Sequence, residues 1–128
     1  MSVCPCGGVP DGASLAACCG PALAHEAWPE TAEALMRSRY TAFATGAEDH
    51  LFRTWHPRTR PQDTSTDPGT VWTGLGVERV VDGGPEDEHG VVEFTAEYVS
   101  GGRPGSMHEV SEFTRRAGRW MYVGPVPQ

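Results

Sequence analysis

The chain has 128 residues, 38% of them apolar, and a formal charge of −7. That length suits one compact domain with a small appendage, and it can bury a core without help from disulfides. All ten basic residues are Arg and they form no stripe, so the electrostatic footprint of a nucleic-acid binder is missing, and no apolar run approaches the ~20 residues of a membrane span.

The N-terminal residues MSVCPCGG have neither a basic start nor an apolar stretch, so no secretory signal is read and the expected location is the cytoplasm. The segment CPCGGVPDGASLAACC, residues 4–19, holds all four cysteines. Thiols stay reduced in the cytosol. Adjacent Cys18 and Cys19 would close a strained disulfide ring, and Cys4 and Cys6 are also too close in sequence for good disulfide geometry. The C-x-x-C of a thioredoxin-like redox centre is absent. Two close pairs at the ends of a loop are how tetrahedral zinc takes four thiolates. Cys4, Cys6, Cys18 and Cys19 are therefore the candidate ligands of a structural Zn²⁺, closed and without an open position for catalysis. An iron–sulfur cluster is the competing reading, although adjacent cysteines are not among its common spacings. Gly7 and Gly8 allow a tight turn that aims backbone N–H groups at the sulfurs. Ser14 is expected to cap a short helix over Leu15–Cys19, ended by Gly20.

Downstream, PETAEALMRSRYTAFATG reads as a helix from about residue 30 to Thr45, with Pro29 at its start and Gly46 at its exit. Leu35, Met36, Tyr40 and Phe43 share an apolar face, and Glu33, Arg37 and Thr41 look elsewhere. The run Arg37-Ser38-Arg39 reads as a solvated face, with Arg39 a candidate partner for a strand carboxylate such as Glu109. A second short helix over 47–55 is expected to bury Leu51, Phe52 and Trp55. Residues 56–69 are a polar, Pro-rich loop.

From residue 70 the hydrophobic period changes to two. VWTGLGVERVVDGG is one strand or two, with a bend or bulge at Gly74 and Gly76. VVEFTAEYVS alternates Val92, Phe94, Ala96 and Tyr98 on one face with Glu93, Thr95 and Glu97 on the other. SMHEVSEFTRR and RWMYVG are two more strands, joined across Ala117-Gly118. Helices followed by antiparallel strands make an α+β order.

CPCG followed by CCGP resembles the SEC-C zinc motif of the SecA translocation ATPase. EALMRSRYTAFATG (33–46), TWHP (54–57) and EVSEFTRRAGRWMYVGP (109–125) are similar to the YchJ family of bacterial proteins, so the resemblance spans nearly the whole chain. It implies a SEC-C-type zinc motif over residues 1–25 and, over 26–128, an α+β domain of the ketosteroid-isomerase and nuclear-transport-factor type. That domain would wrap a cone-like curved sheet around the long helix. Two departures stand out. Eleven residues separate the cysteine pairs where relatives commonly have eight, and Gly-Gly-Val stands where they often have Gly-Ser-Gly. The SecA motif is Lys-rich and docks on an acidic chaperone. Here the first basic residue is Arg37, so that partner is not expected.

A sheet closing on a helix makes a pocket. Its candidate lining is Arg39, Tyr40, Trp55, His56, Trp72, Phe94, Glu109, Phe113 and Trp120. Glu109 and the histidines could move protons, but each has a plain structural role. His56 before Pro57 suits a turn, strand alternation separates His108 from Glu109, and the aromatic residues are core by default. No P-loop, GxGxxG, GxSxG or HExxH motif is present. The sequence therefore favours a zinc-stabilised binding or adaptor module, with a protein partner or a second copy of the chain, over an enzyme. Small-molecule binding or catalysis in the cone stands second, and nucleic-acid binding third.

Overall fold

The computed structural model describes residues 3–126. Three helices, α1 (Gly20–Leu23), α2 (Ala32–Thr45) and α3 (Glu48–Thr54), precede four strands, β1 (Thr70–Asp82), β2 (His89–Ser100), β3 (Arg103–Arg116) and β4 (Arg119–Pro125). The strands form one antiparallel sheet in the order β1-β2-β3-β4. This is the expected α+β architecture, with helices on one face of a meander.

α2 starts where Thr31, in an extended conformation, accepts the Ala34 N–H at 3.0 Å, and it stops at left-handed Gly46. Pro29 lies before the cap and not inside the helix. Leu35, Met36 and Tyr40 are buried against the sheet as their spacing predicts. β1 is one strand, and the pairing slips after Trp72 and again after Val77, which places a bulge at the glycine-rich stretch. β2 buries Val92, Phe94 and Ala96 and leaves the opposite face to Glu93, Thr95 and Glu97. The β3–β4 hairpin turns through Ala117 (φ 53°) and Gly118 (φ 80°), the left-handed pair that matches strand twist.

Three expectations fail here. Residues 15–19 are turns, and the helix is Gly20–Leu23, with Cys19 at its cap position. The backbone bonds there return three residues, Ala17 N–H to Ser14 O and Cys18 N–H to Leu15 O, or five, Gly20 N–H to Leu15 O, so no α-helical turn forms, whereas the helix starting at Gly20 accepts Pro21 in its first turn. Phe52 is exposed, not buried, and carries the Arg60 guanidinium 3.8 Å above its ring. Ser38 and Arg39 are buried, so Arg37-Ser38-Arg39 is no solvated face. α2 is covered on both sides: by the sheet, and by the N-terminal segment together with α3.

Candidate metal centre and cavity

The cysteine segment is tied into a small knot by its backbone. The Cys4 N–H donates to Ala13 O at 2.8 Å, Val3 bridges Ser14, and the Gly7 N–H donates to Cys4 O at 2.8 Å. Gly8, at φ 88°, passes so close to Ala13 that a side chain there would collide with the Ala13 backbone. The knot brings all four sulfurs within 4.8 Å of one another. Cys6 and Cys18 are 3.6 Å apart, Cys18 and Cys19 3.8 Å, and Cys19 and Cys6 3.7 Å. A tetrahedral thiolate site with metal–sulfur bonds of about 2.3 Å has sulfur–sulfur edges of about 3.8 Å. The donor set therefore fits a four-coordinate metal.

The surroundings suit thiolates. The Cys6 thiol is pulled down to about 4, first by the Cys19 thiol donating to it and then by the Gly8 N–H. Burial pushes Cys18 up to about 11, and the bond to Cys6 pushes Cys19 up further. Thiols this close titrate together and share protons. A cation at the centre would replace those protons. Thr41 Oγ1, fully buried on α2, donates to Cys19 Sγ at 3.3 Å, and Arg37 reaches across to Cys6 O at 2.8 Å while Glu33 holds its Nε at 2.9 Å. Hydrogen bonds of this kind orient ligands and tune their basicity. The face of α2 that carries Glu33, Arg37 and Thr41 is therefore the seat of the cysteine knot.

On the other side of α2 the sheet leaves a cavity of about 260 Å³. Seven of the nine residues expected around it do line it: Arg39, Tyr40, Trp55, Trp72, Phe94, Glu109 and Phe113. His56 and Trp120 do not. His56 follows the end of α3 into the loop, where its N–H donates to Tyr122 O at 2.8 Å and its ring Nδ1 accepts the Arg58 N–H at 3.1 Å. Trp120 is fully buried nearer the hairpin turn, donating Nε1 to Glu30 O at 3.0 Å under the Arg115 guanidinium. The aromatic side chains wall the cavity without filling it.

Arg39 is held between two rings, with Cζ 4.7 Å from the Trp55 centroid and 4.3 Å from that of Tyr122. Its NH1 donates to Leu51 O at 3.1 Å and Thr54 Oγ1 at 2.8 Å. Burial lowers it to about 10, which leaves it cationic at neutral pH. The expected Arg39–Glu109 ion pair does not form. Glu109 Oε2 instead accepts the Tyr122 hydroxyl at 2.7 Å and the Ser111 hydroxyl. Burial, then the Glu109 bond, pushes the Tyr122 hydroxyl well above its ordinary range. Tyr122 and Ser111 were missed in the sequence, yet alternation could have found both: Ser111 lies two residues from Glu109 and from Phe113, and Tyr122 two residues from Trp120.

A second group that could hold a metal, Glu78, Glu93 and His108, lies on the open face of the sheet, where His108 Nε2 meets Glu93 at 2.8 Å. His108 and Glu109 thus do point to opposite faces. No helix is long and apolar enough to cross a membrane among the described residues.

The family description "YchJ, middle NTF2-like domain" matches residues 31–125. A UPF0225 protein of Chromobacterium violaceum is 52% identical over 126 residues, covering 95% of this chain and 90% of that one. One from Streptomyces coelicolor is 48% identical over 120 residues, covering 94% and 91%. Among solved structures, a SEC-C motif containing protein from Rhodopseudomonas palustris superposes with a TM-score of 0.83 at 31% identity, covering 100% of this chain and 99% of that one. Another, from Psychrobacter arcticus, gives 0.77 at 25% identity, covering 100% and 84%. With 95 of its residues inside the domain match and relatives alike over nearly their full length, the chain belongs to the YchJ-like UPF0225 family, with an NTF2-like domain behind a cysteine cluster.

Proposed function

We propose that the chain is a zinc-stabilised binding module. The carrying observation is the spacing of the sulfurs, with three edges of 3.6–3.8 Å in a knot already shaped by backbone hydrogen bonds. Four thiolates leave zinc no open position, so the metal's task is to fix the knot on α2 and present it to a protein partner as a rigid surface. Thr41, Arg37 and the Gly8 N–H are the chain's own contribution to such a site. Native mass spectrometry of the untagged chain, purified without chelator, tests this and reports copy number at the same time. One zinc per chain is expected, and Cys18→Ser should lose it. Metal-free chains from reduced, chelator-free preparations would overturn the reading, and bound iron would replace zinc by a cluster.

The open cavity favours a second reading, binding of a small molecule between α2 and the sheet. Trp55 and Trp72 stand in its wall and leave its interior free.

A further inference from the structure

The cavity holds the Arg39 guanidinium apart from the one carboxylate in its lining, Glu109. Arg39 is 5% exposed, and among the described residues no carboxylate lies within ion-pair distance of it. Its NH1 is committed to Leu51 O and Thr54 Oγ1, while Nε and NH2 have no hydrogen-bond partner among the described residues. The five donors of a guanidinium form a fork that matches a carboxylate, and Nε and NH2 are free to meet one. Glu109 lines the same cavity but is already engaged by the Tyr122 and Ser111 hydroxyls. Beside Arg39, Trp55 Nε1 is buried and lacks a hydrogen-bond partner.

The rest of the lining is aromatic and apolar. Trp72 meets Tyr40 edge-on at 6.1 Å and Phe43 at 6.2 Å, and Phe113 meets Tyr122 at 5.7 Å. Met107, at 36% exposure, combines a place in the lining with contact to solvent, as a residue at the mouth does. A volume of about 260 Å³ lies just below the usual 300–1,000 Å³ of small-molecule sites. It suits one ring with a short acidic arm.

We propose that the cavity binds a small aromatic monocarboxylate, the carboxylate on the free N–H groups of Arg39 and the ring among Tyr40, Trp72, Phe94 and Phe113. The inference rests on the small-molecule reading above. It needs no turnover: Arg39 is the anion receptor, the aromatic wall selects the ring, and the Glu109–Tyr122 bond keeps a second acid out of the fork.

The test is titration of the zinc-loaded full chain with phenylacetate, phenylacetamide and acetate, followed through the indole N–H signals in proton–nitrogen correlation spectra. Phenylacetate should shift Trp55 and Trp72 saturably, leave Trp28 and Trp120 in place, and bind at least about tenfold more tightly than the amide. Acetate, without a ring, should produce no saturable shift. Equal affinity for acid and amide would overturn the carboxylate assignment while leaving the cavity as a binding site. No saturable shift with either would overturn both. Arg39→Gln should abolish the preference for the acid. Because that substitution also removes bonds to α3, Met107→Trp at the mouth is the companion variant. It should fold and lose phenylacetate binding, and binding retained there would place the ligand elsewhere and overturn the assignment.

Discussion

The two sides of α2 are stabilised by different physics. On one side a knot of turns, residues 3–19, offers Cys4, Cys6 and Cys19 as its buried apolar residues. With so little hydrocarbon to bury, it is shaped by backbone hydrogen bonds and by four sulfurs close enough together to hold a metal. On the other side α2 and the sheet bury Leu35, Val92, Phe113 and Trp120 and still leave an open cavity. Neighbouring residues divide the work: Arg37 and Thr41 serve the knot, Arg39 and Tyr40 the cavity. A helix covered on both faces lets the cysteine cluster and the cavity share one rigid element, so each can be disturbed with the other as control.

The largest expected effect separates the regions. Stripping the metal with a strong chelator under reducing conditions should release the amide protection of residues 3–19 while β2 and β3 keep theirs, as hydrogen exchange would show. Loss of protection in the sheet as well would mean that the knot and the domain form one cooperative unit.

A smaller effect concerns His50, which packs under α2 with Nε2 2.9 Å from Ser38 Oγ. Burial, then the nearby Arg53 and Arg39 charges, lowers it to about 4 from 6.5. The unfolded chain therefore takes up this proton first. The neutral imidazole is no disadvantage above about pH 6.5, and stability falls progressively from there towards pH 4. The loss is at most about 3 kcal/mol by linkage at ~1.4 kcal/mol per pH unit. Denaturant melts of His50→Gln should show a flatter profile across that window than the parent chain, and identical slopes would refute the assignment.

The smallest effect sharpens the metal side alone. Thr41→Val keeps the volume and removes the hydroxyl that donates to Cys19. Metal affinity, measured by competition with a chelator, should weaken about 10-fold or somewhat more. Unchanged affinity would make Thr41 a packing residue only.

Much of this was legible in the chain. The cysteine spacing was read as a ligand set, the period-two stretches are the observed strands, and Ala117-Gly118 is the observed turn, because these features depend on neighbours in sequence. Helical periodicity placed Leu35, Met36 and Tyr40 inward and turned Glu33, Arg37 and Thr41 elsewhere, but it read Arg37-Ser38-Arg39 as a solvated face, since it assumes one buried face. The N-terminal segment folds back and gives α2 a second one. His56 and Trp120 were grouped with the cavity by residue type, yet a bond to Arg58 and the position near the hairpin turn draw them away.

What the sequence by itself determined is the set of parts: four thiols at loop ends, a capped helix, four alternating strands, and the glycines their turns require. Only the tertiary structure decided that the four sulfurs meet within 4.8 Å, that Tyr122 and not Arg39 bonds Glu109, and that the aromatic wall stops short of filling the cone. Those outcomes rest on distances between residues as many as 83 apart in the chain, such as Arg39 and Tyr122, and such distances are settled by how the layers pack.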